Sequence, residues 1–489
     1  MSETVETSAL KRFLQLGRNI FSLFSSNTLG KVVSFTTNVL VARMLSTYSF
    51  GQISLAVVLF YTFQVVSAAG LRTLLTREIA SRKDETSAYV SSALLIALVS
   101  SLVAMVGLIT FVQVMGYSYD TSRSILIVGL ALLPFALSAL CEAVFQAWER
   151  MELIAFAQMP LHVLRLGAAY FLLVNGYGLE PVLYVLAASY YLLALVEGVF
   201  LVRVFKIRLA FDLPFTLKLF RTTSTFLALD FVIAIWTSLQ VLLLSRFASE
   251  VQVGIYNSAA NLLMPVSLVF QSVVLSLFPS MTRTALNAGR DLGAARRLME
   301  QTLEVLLVVA LPAATGLFLL SDEILLSLYA QRDFVLAAQV LRVLAGLTVF
   351  TALTSALGQI LLASSNEHVT LRIVCVNAVL ALAMGLVLIP RFGPLGAAYA
   401  ALLAGLVNLI QHYIPVRRLL TGVRLGFVWK PLFASGVMGL FLLLSDFNVW
   451  LTILLAALLY GIVFAGLEYL VLGGVPGVKR KYRTFFAEG

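Results

Sequence analysis

Two short sets of polar residues stand inside otherwise apolar stretches of this chain, and each carries a cation. Asn27, Lys31, Ser34 and Asn38 step by 4, 3 and 4, while Gln158, His162 and Arg165 step by 4 and 3 beside Pro160. Steps of three and four put each set on one face of an α-helix. A charge at the centre of a bilayer costs about 2.5–3.5 kcal/mol on insertion scales, so such a residue faces a bundle interior or a wet cavity. Two cationic stripes describe a positively charged cavity, and its chemistry would be anion binding, strengthened by a low dielectric. Three carboxylates, Glu142, Glu197 and Asp230, also fall within apolar stretches and are candidates to carry a proton or bind Na⁺. Asn257 and Asn261, one turn apart, are placed to hydrogen-bond hydroxyl groups or to bridge helices.

Each of these residues has a structural alternative. Lys31 would serve equally as half of an ion pair or as helix–helix glue. It is nonetheless inside the membrane, because eleven residues separate it from Arg43, too few to cross a core of about 30 Å. Arg165 could be paired to Glu142 or Glu197, and His162 could be a satisfied core histidine. Asp230 could pair with Arg221 or cap a helix end. Arg342, one turn into its apolar run, lies close enough to an interface to reach it with its long stem.

The elements that must position these residues follow from composition. Of 489 residues, 60% are hydrophobic and 12% charged, and the mean hydropathy is +0.97. A water-soluble chain could not hide that much apolar surface. Runs near 20 residues recur at 20–42, 51–71, 88–113, 125–146, 153–174, 182–202, 223–245, 253–279, 301–320, 338–362, 373–389, 395–414, 431–445 and 449–470. They lack the alternation of barrel strands, and backbone in lipid must satisfy its own hydrogen bonds. The expected fold is therefore an all-α polytopic membrane protein with about 14 transmembrane helices. Pro134, Pro160, Pro265, Pro279 and Pro312 lie in or at the ends of spans, where they permit bending. The first apolar run is too long for a signal peptide and reads as a retained helix. Cys141 and Cys375 fall within apolar runs without metal-type spacing and read as small buried hydrophobes.

Placing the N-terminus in the cytoplasm and alternating sides puts 26 of the 34 Lys and Arg residues inside and 5 outside, with Lys31, Arg165 and Arg342 within spans. This positive-inside asymmetry predicts an inner (cytoplasmic) membrane protein with both termini cytoplasmic, and accounts for the net charge of +10 without nucleic acid as a partner.

The chain also repeats itself. "RMLSTYSFGQISLA" from Arg43 and "RFASEVQVGIYNSA" from Arg246 match at Arg43/Arg246, Ser46/Ser249 and Gly51/Gly254, an offset of 203 residues. Arg-rich connectors follow both. Six spans separate the copies, which predicts two six-helix lobes related by a pseudo-twofold along the membrane normal, spanning 1–222 and 223–425. Residues 426–489 add two C-terminal helices and a basic tail. By the same offset Asp230 corresponds to Asn27.

"VARMLSTYSFG" (41–51), "GLRTLLTREIA" (70–80), "VGIYNSAANL" (253–262), "LFPSM" (277–281) and "IPRFGPLGAAYA" (389–400) after Asn377 occur in an order that resembles the polysaccharide transporter family. This family belongs to the multidrug/oligosaccharidyl-lipid/polysaccharide flippase superfamily, and the resemblance covers about residues 15 to 470. It implies twelve to fourteen helices and export of an isoprenoid-(pyro)phosphate-linked oligosaccharide by alternating access. Its partners would be that lipid-linked oligosaccharide, membrane lipids, H⁺ or Na⁺, and polysaccharide-assembly proteins. A pyrophosphate crossing the membrane would need cations such as Lys31 and Arg165 to offset its desolvation. In lipid II flippases two extra C-terminal helices line a groove for the lipid tail; spans 13 and 14 fit either that role or plain packing.

No nucleotide-binding loop, His/Cys metal cluster or long outside loop with paired acids occurs, so neither a cofactor, a metal nor an enzyme is expected. A membrane-embedded glycan-assembly enzyme or scaffold leaves the polar stripes unexplained. A drug/cation antiporter of the same superfamily would call for an acidic, aromatic site, whereas this one is basic.

Overall fold

The computed structural model describes residues 25–286, 292–330, 332–364, 367–420, 422, 426–472 and 476. The basic residues through Arg18, Arg290, Arg424 and the tail from Lys479 lie outside them. No strand occurs among the described residues, and the all-α expectation holds. In chain order the helices are α1 (25–44), α2 (Thr47–Ala68), α3 (Leu71–Ser81), α4 (Thr86–Met115), α5 (Tyr119–Gly129), α6 (Leu132–Ala147), α7 (Glu152–Val174), α8 (Leu179–Phe205) and α9 (Leu213–Phe247). They continue with α10 (Glu250–Asn261), α11 (Met264–Leu286), α12 (Leu292–Leu319), α13 (Ser321–Tyr329), α14 (Ala337–Ala363), α15 (Glu367–Leu419), α16 (Trp429–Leu444) and α17 (Val449–Val471).

The expected spans fall on these helices, except that residues 20–24 of the first lie outside the described residues. Ten described helices are long and apolar enough to cross a membrane. α5 and α6 together make one span, and α10 and α11 make another, bent by 42°. α15 has 53 residues, about 80 Å at 1.5 Å per residue, far too long for one crossing. It breaks at Gly393 (φ 54°, ψ −128°), a conformation that only glycine adopts readily. The two halves pack back on each other, so that Asn377 donates to Asn408 at 2.7 Å. α16 is shorter, at 16 residues, and α3 and α13 are short connecting helices.

The chain divides into two compact units, Met1–Arg246 and Phe247–Gly489. α9 therefore belongs to the first unit almost to its end, whereas the repeat boundary falls before Thr223. The lobes 1–222 and 223–425 remain a proposal about duplication in the chain. Local geometry gives that repeat a physical meaning. Ser46 and Ser249 are both N-cap residues with extended backbone (ψ 160° and 163°), each opening the helix that follows.

In the first unit, α2 ends on two successive left-handed residues, Ala69 and Gly70 (φ 51° and 67°), which turn the chain sharply into α3. A Cβ at Gly70 would stand 2.6 Å from the backbone nitrogen of Leu227, so glycine lets α9 close on this corner. Arg77 of α3 lies over the Phe226 ring at 5.8 Å. Between α2, α4 and α6, small hydroxyls join the helices: Ser67 bonds Ser101 and the Leu132 carbonyl, both at 2.7 Å, and Ser100 donates to the Ser67 carbonyl at 2.6 Å. Such side chains supply adhesion where lipid removes the hydrophobic drive between helices. Leu74, Leu75, Ile79, Ala143, Val144 and Phe145 centre an apolar core that joins α3, α4, α6 and α8.

The second unit packs α11, α12, α14 and both halves of α15 around Phe270, Leu306, Ala352 and Ala356. Arg342 does not simply reach for an interface, since it pairs with Asp322 and donates to Ser321 at 2.9 Å. Cys141 is buried as expected, but Cys375 is exposed on α15, where its outward face leaves it to the surroundings rather than to the core. Lys430 of α16 and Glu468 of α17 form a buried ion pair at 2.8 Å, their side chains 9% and 4% exposed.

Removing one partner of a buried pair leaves an uncompensated charge, whereas replacing both with apolar groups removes the problem. Lys430→Ala or Glu468→Ala should each destabilise the protein by about 3–5 kcal/mol. The double variant Lys430→Met/Glu468→Leu should recover most of that loss. Unfolding of the purified protein in mild detergent, followed by tryptophan fluorescence, reads the difference.

Candidate functional site

The polar stripe of α7 meets the stripe of α1 within the first unit. Ser26 donates to Gln158 Oε1 at 2.7 Å, and Gln158 Nε2 donates to Glu142 Oε1 of α6 at 2.7 Å. The other oxygen of Glu142 accepts from Arg72 of α3. A continuous polar chain thus runs from α1 through α7 and α6 to α3. One turn further along α1, Gly30 faces the His162 ring so closely that a Cβ would stand 2.8 Å from Nε2. Glycine here sets the spacing of the two helices, and His162, half-buried, fills the seam between them.

Beyond this seam the helices part around a small, partly open cavity. Ser34 and Asn38 of α1 and Arg165 of α7 line it, together with Tyr61 of α2 and Tyr190 of α8. The Tyr190 hydroxyl lies near Arg165 at the edge of this space. The Tyr190 ring is in turn packed by Phe60 at 5.1 Å and Phe135 at 6.2 Å, and these aromatic contacts hold the wall of the cavity beside the guanidinium. Arg165 is not paired to Glu142 or Glu197, which have partners of their own.

The remaining sequence candidates distribute as follows. Lys31 is half-buried on α1 and Asn27 is exposed, and neither lines the cavity. Glu142 is tied to Arg72 and Gln158, and Glu197 of α8 accepts from Ser138. Asp230 is exposed on α9 and makes no hydrogen bond or ion pair among the described residues, so the pairing with Arg221 does not form. Asn257 and Asn261 sit on α10 in the second unit; Asn257 is buried and donates to the Val253 carbonyl of its own helix at 3.2 Å.

Four participants were not legible as site residues beforehand. Arg72 reads in the sequence as one of many loop cations. Ser26 precedes the α1 stripe by one position and lies off its regular step. Tyr61 and Tyr190 are single aromatics in apolar helices. Ser138 had a signal, since it stands four residues before Glu142 and shares its helical face.

An all-α chain that crosses a membrane many times and encloses a polar, cation-bearing cavity has the architecture of a membrane transporter and not of an enzyme. Residues 16–285 match the family described as "Polysaccharide biosynthesis protein", and the chain belongs to that family. Among its relatives is the "Probable low-salt glycan biosynthesis flippase Agl15" of Haloferax volcanii, 23% identical over 404 residues, 82% of this chain and 83% of that one. Among solved structures, the lipid II flippase MurJ in an inward closed conformation superposes with a TM-score of 0.77 at 18% identity, over 92% of this chain and 99% of its own. An inward-facing multidrug resistance transporter of the MATE family, in the MOP superfamily, gives a TM-score of 0.66 at 12% identity, over 80% and 95%.

The Gln158 amide bridges α1 to α6, and an apolar replacement would strand both Ser26 and a carboxylate oxygen. Gln158→Leu should lower stability by about 1–3 kcal/mol, the usual cost of leaving buried partners unsatisfied. Thermal unfolding midpoints of detergent-solubilised wild type and variant measure this.

Proposed function

We propose that this protein is a flippase that moves an isoprenoid-(pyro)phosphate-linked oligosaccharide from the cytoplasmic to the outer leaflet, for cell-surface glycan biosynthesis. The observation that carries the reading is Arg165, a cation lining a polar cavity beside Tyr190 in a chain of the polysaccharide biosynthesis family. A phosphate or pyrophosphate is the anion this geometry suits. Arg offers a planar fork of donors that matches phosphate oxygens, and a low-dielectric cavity strengthens the pairing. Ser34, Asn38, Tyr61 and Tyr190 add hydrogen-bonding groups and aromatic faces for the adjoining sugars. The relative Agl15, named as a probable low-salt glycan biosynthesis flippase, agrees with this assignment.

The rest of the scheme follows from charge and fold. The 26-to-5 partition of Lys and Arg favours cytoplasmic termini and loading from the cytoplasmic leaflet. Translocation by alternating access would expose the cavity first to one side and then to the other. Lys31 would act beside Arg165, with Asn27, Gln158 and His162 shaping the α1–α7 seam. Asn257 and Asn261 would serve the second unit. Membrane lipids surround the protein, and glycan-assembly proteins would supply and receive the cargo.

Deleting the gene should cause a lipid-linked oligosaccharide to accumulate. Absence of any such intermediate, with hypersensitivity to cationic dyes instead, would make the protein a drug exporter. Within the protein, Arg165→Ala and Lys31→Ala should each slow flipping of a short-chain pyrophosphate-linked glycan in proteoliposomes by about 10–100-fold, the equivalent of a charge-assisted bond worth ~1.5–3 kcal/mol. Lys31→Arg, which keeps the charge, should retain most of the rate.

A further inference from the structure

Glu197 is the most enclosed acid in the first unit. Its residue exposure is 0%, and it sits on α8 against α6. Ser138 bonds Oε2, while Oε1 is buried with no hydrogen-bond partner among the described residues. Its surroundings supply no cation of its own. On α6 the titratable neighbours are Cys141 and Glu142, and the guanidinium of Arg72 on α3 is already bonded to Glu142. The groups on the other elements packed against α8 lie elsewhere. Arg165 of α7 lies near Tyr190, about two turns back along α8. Arg123 of α5 pairs with Glu180, near the start of α8. From α2, Tyr61 lies by Tyr190.

The cluster therefore holds two carboxyl groups and one guanidinium. With Glu142 and Arg72 neutralising each other, an ionised Glu197 would be a net negative charge with half its hydrogen-bonding capacity unmet. That is the arrangement burial penalises most heavily. One proton removes the penalty, because the carboxylate takes it from water and becomes a neutral acid. A metal cation would need several oxygens gathered around it, and no group of three or more His, Cys, Asp or Glu assembles among the described residues.

We infer that Glu197 is a proton-binding site, occupied when α6 and α8 are packed as they are here and emptied when that seam admits water. The site borders the polar chain that seats α1: Ser138, which bonds Glu197, stands one turn before Glu142 on α6, Glu142 holds Gln158, and Gln158 holds Ser26. Movement of α1 and loss of the proton are consequently linked, and each favours the other by the same free energy. Of Glu142, Glu197 and Asp230, this singles out Glu197 as the proton carrier. Only the use of the proton, to drive transport, rests on the flippase reading; its binding does not.

The test needs no substrate. Infrared spectra of the purified protein in lipid at neutral pH should show the C=O stretch of a buried carboxylic acid. The band should disappear in Glu197→Gln, which keeps the shape and the Ser138 contact, and should shift in Glu197→Asp. A wild-type spectrum without such a band, or one that persists undiminished in a folded Glu197→Gln, overturns the assignment. If neither variant folds, hydrogen–deuterium exchange of the wild-type band decides. A downshift in D₂O that follows only slow opening supports a sealed acid, and no D₂O-sensitive band rules it out.

Discussion

Glu142 receives two donors at once, and the arrangement of the first unit hangs on how they are shared. Arg72 comes from α3, beyond the sharp turn at Ala69 and Gly70; Gln158 comes from α7, which carries Arg165 two turns later. A carboxylate 7% exposed cannot hold its charge without such partners. Its two oxygens thus fix which faces of α3 and α7 turn toward α6. Arg72 remains 49% exposed at its side chain, so the pair joins a wet edge to a dry interior. The cavity lies further along the same helices, and that register sets its cation beside the aromatic ring of Tyr190.

The same low dielectric sorts the other charges of the molecule into two kinds. Lys430 with Glu468, and Arg342 with Asp322, are ion pairs whose opposite charges offset one another. They specify how helices meet. Arg165 differs, because it makes no ion pair among the described residues and lines a cavity with Tyr190. A guanidinium has five donors to offer there. The distinction between a paired charge and one bordering a cavity separates structural from functional cations in a bilayer, where both are costly to insert.

The sequence made the helices legible because periodicity and length are local properties. The spans at 373–389 and 395–414 were separable from their residues alone, and Gly393 is where the chain breaks between them. The stripes of α1 and α7 were visible as steps of three and four, and Ser34, Asn38 and Arg165 do line one cavity. Partnership was not legible, because it depends on which faces meet. Nothing in the run "GLRTLLTREIA" marks Arg72, rather than Arg77, as the partner of an acid 70 residues away. The seam at Gly30 was hidden for the same reason, since a glycine in a span reads as flexibility until a histidine is found against it. The repeat and the compact units divide the chain at different places for a physical reason. The offset of 203 tracks matched hairpins, whereas compactness follows packing, and Gly70 and Phe226 bind the start of α9 to α3.

The bonds that hold α1 and α3 to this network differ in strength, and the order matters for a transporter. Ser26 to Gln158 is a bond between uncharged groups, with a net worth of about 0.5–1.5 kcal/mol. Breaking a buried ion pair such as Arg72 with Glu142 costs about 3–5 kcal/mol when one partner is lost outright, less here for the exposed half of Arg72. Strain applied along α1 would therefore release Ser26 first and leave α3, α6 and α7 together. Gly30 assists, because a helix surface without a side chain can slide on the His162 ring with no knob to lift from a hole. In an alternating-access cycle, α1 would be the element that moves against this frame, carrying Lys31, Ser34 and Asn38 with it. A helix that bears half of the cavity's polar groups and is fastened by its weakest bond is the element through which access to the cavity would change.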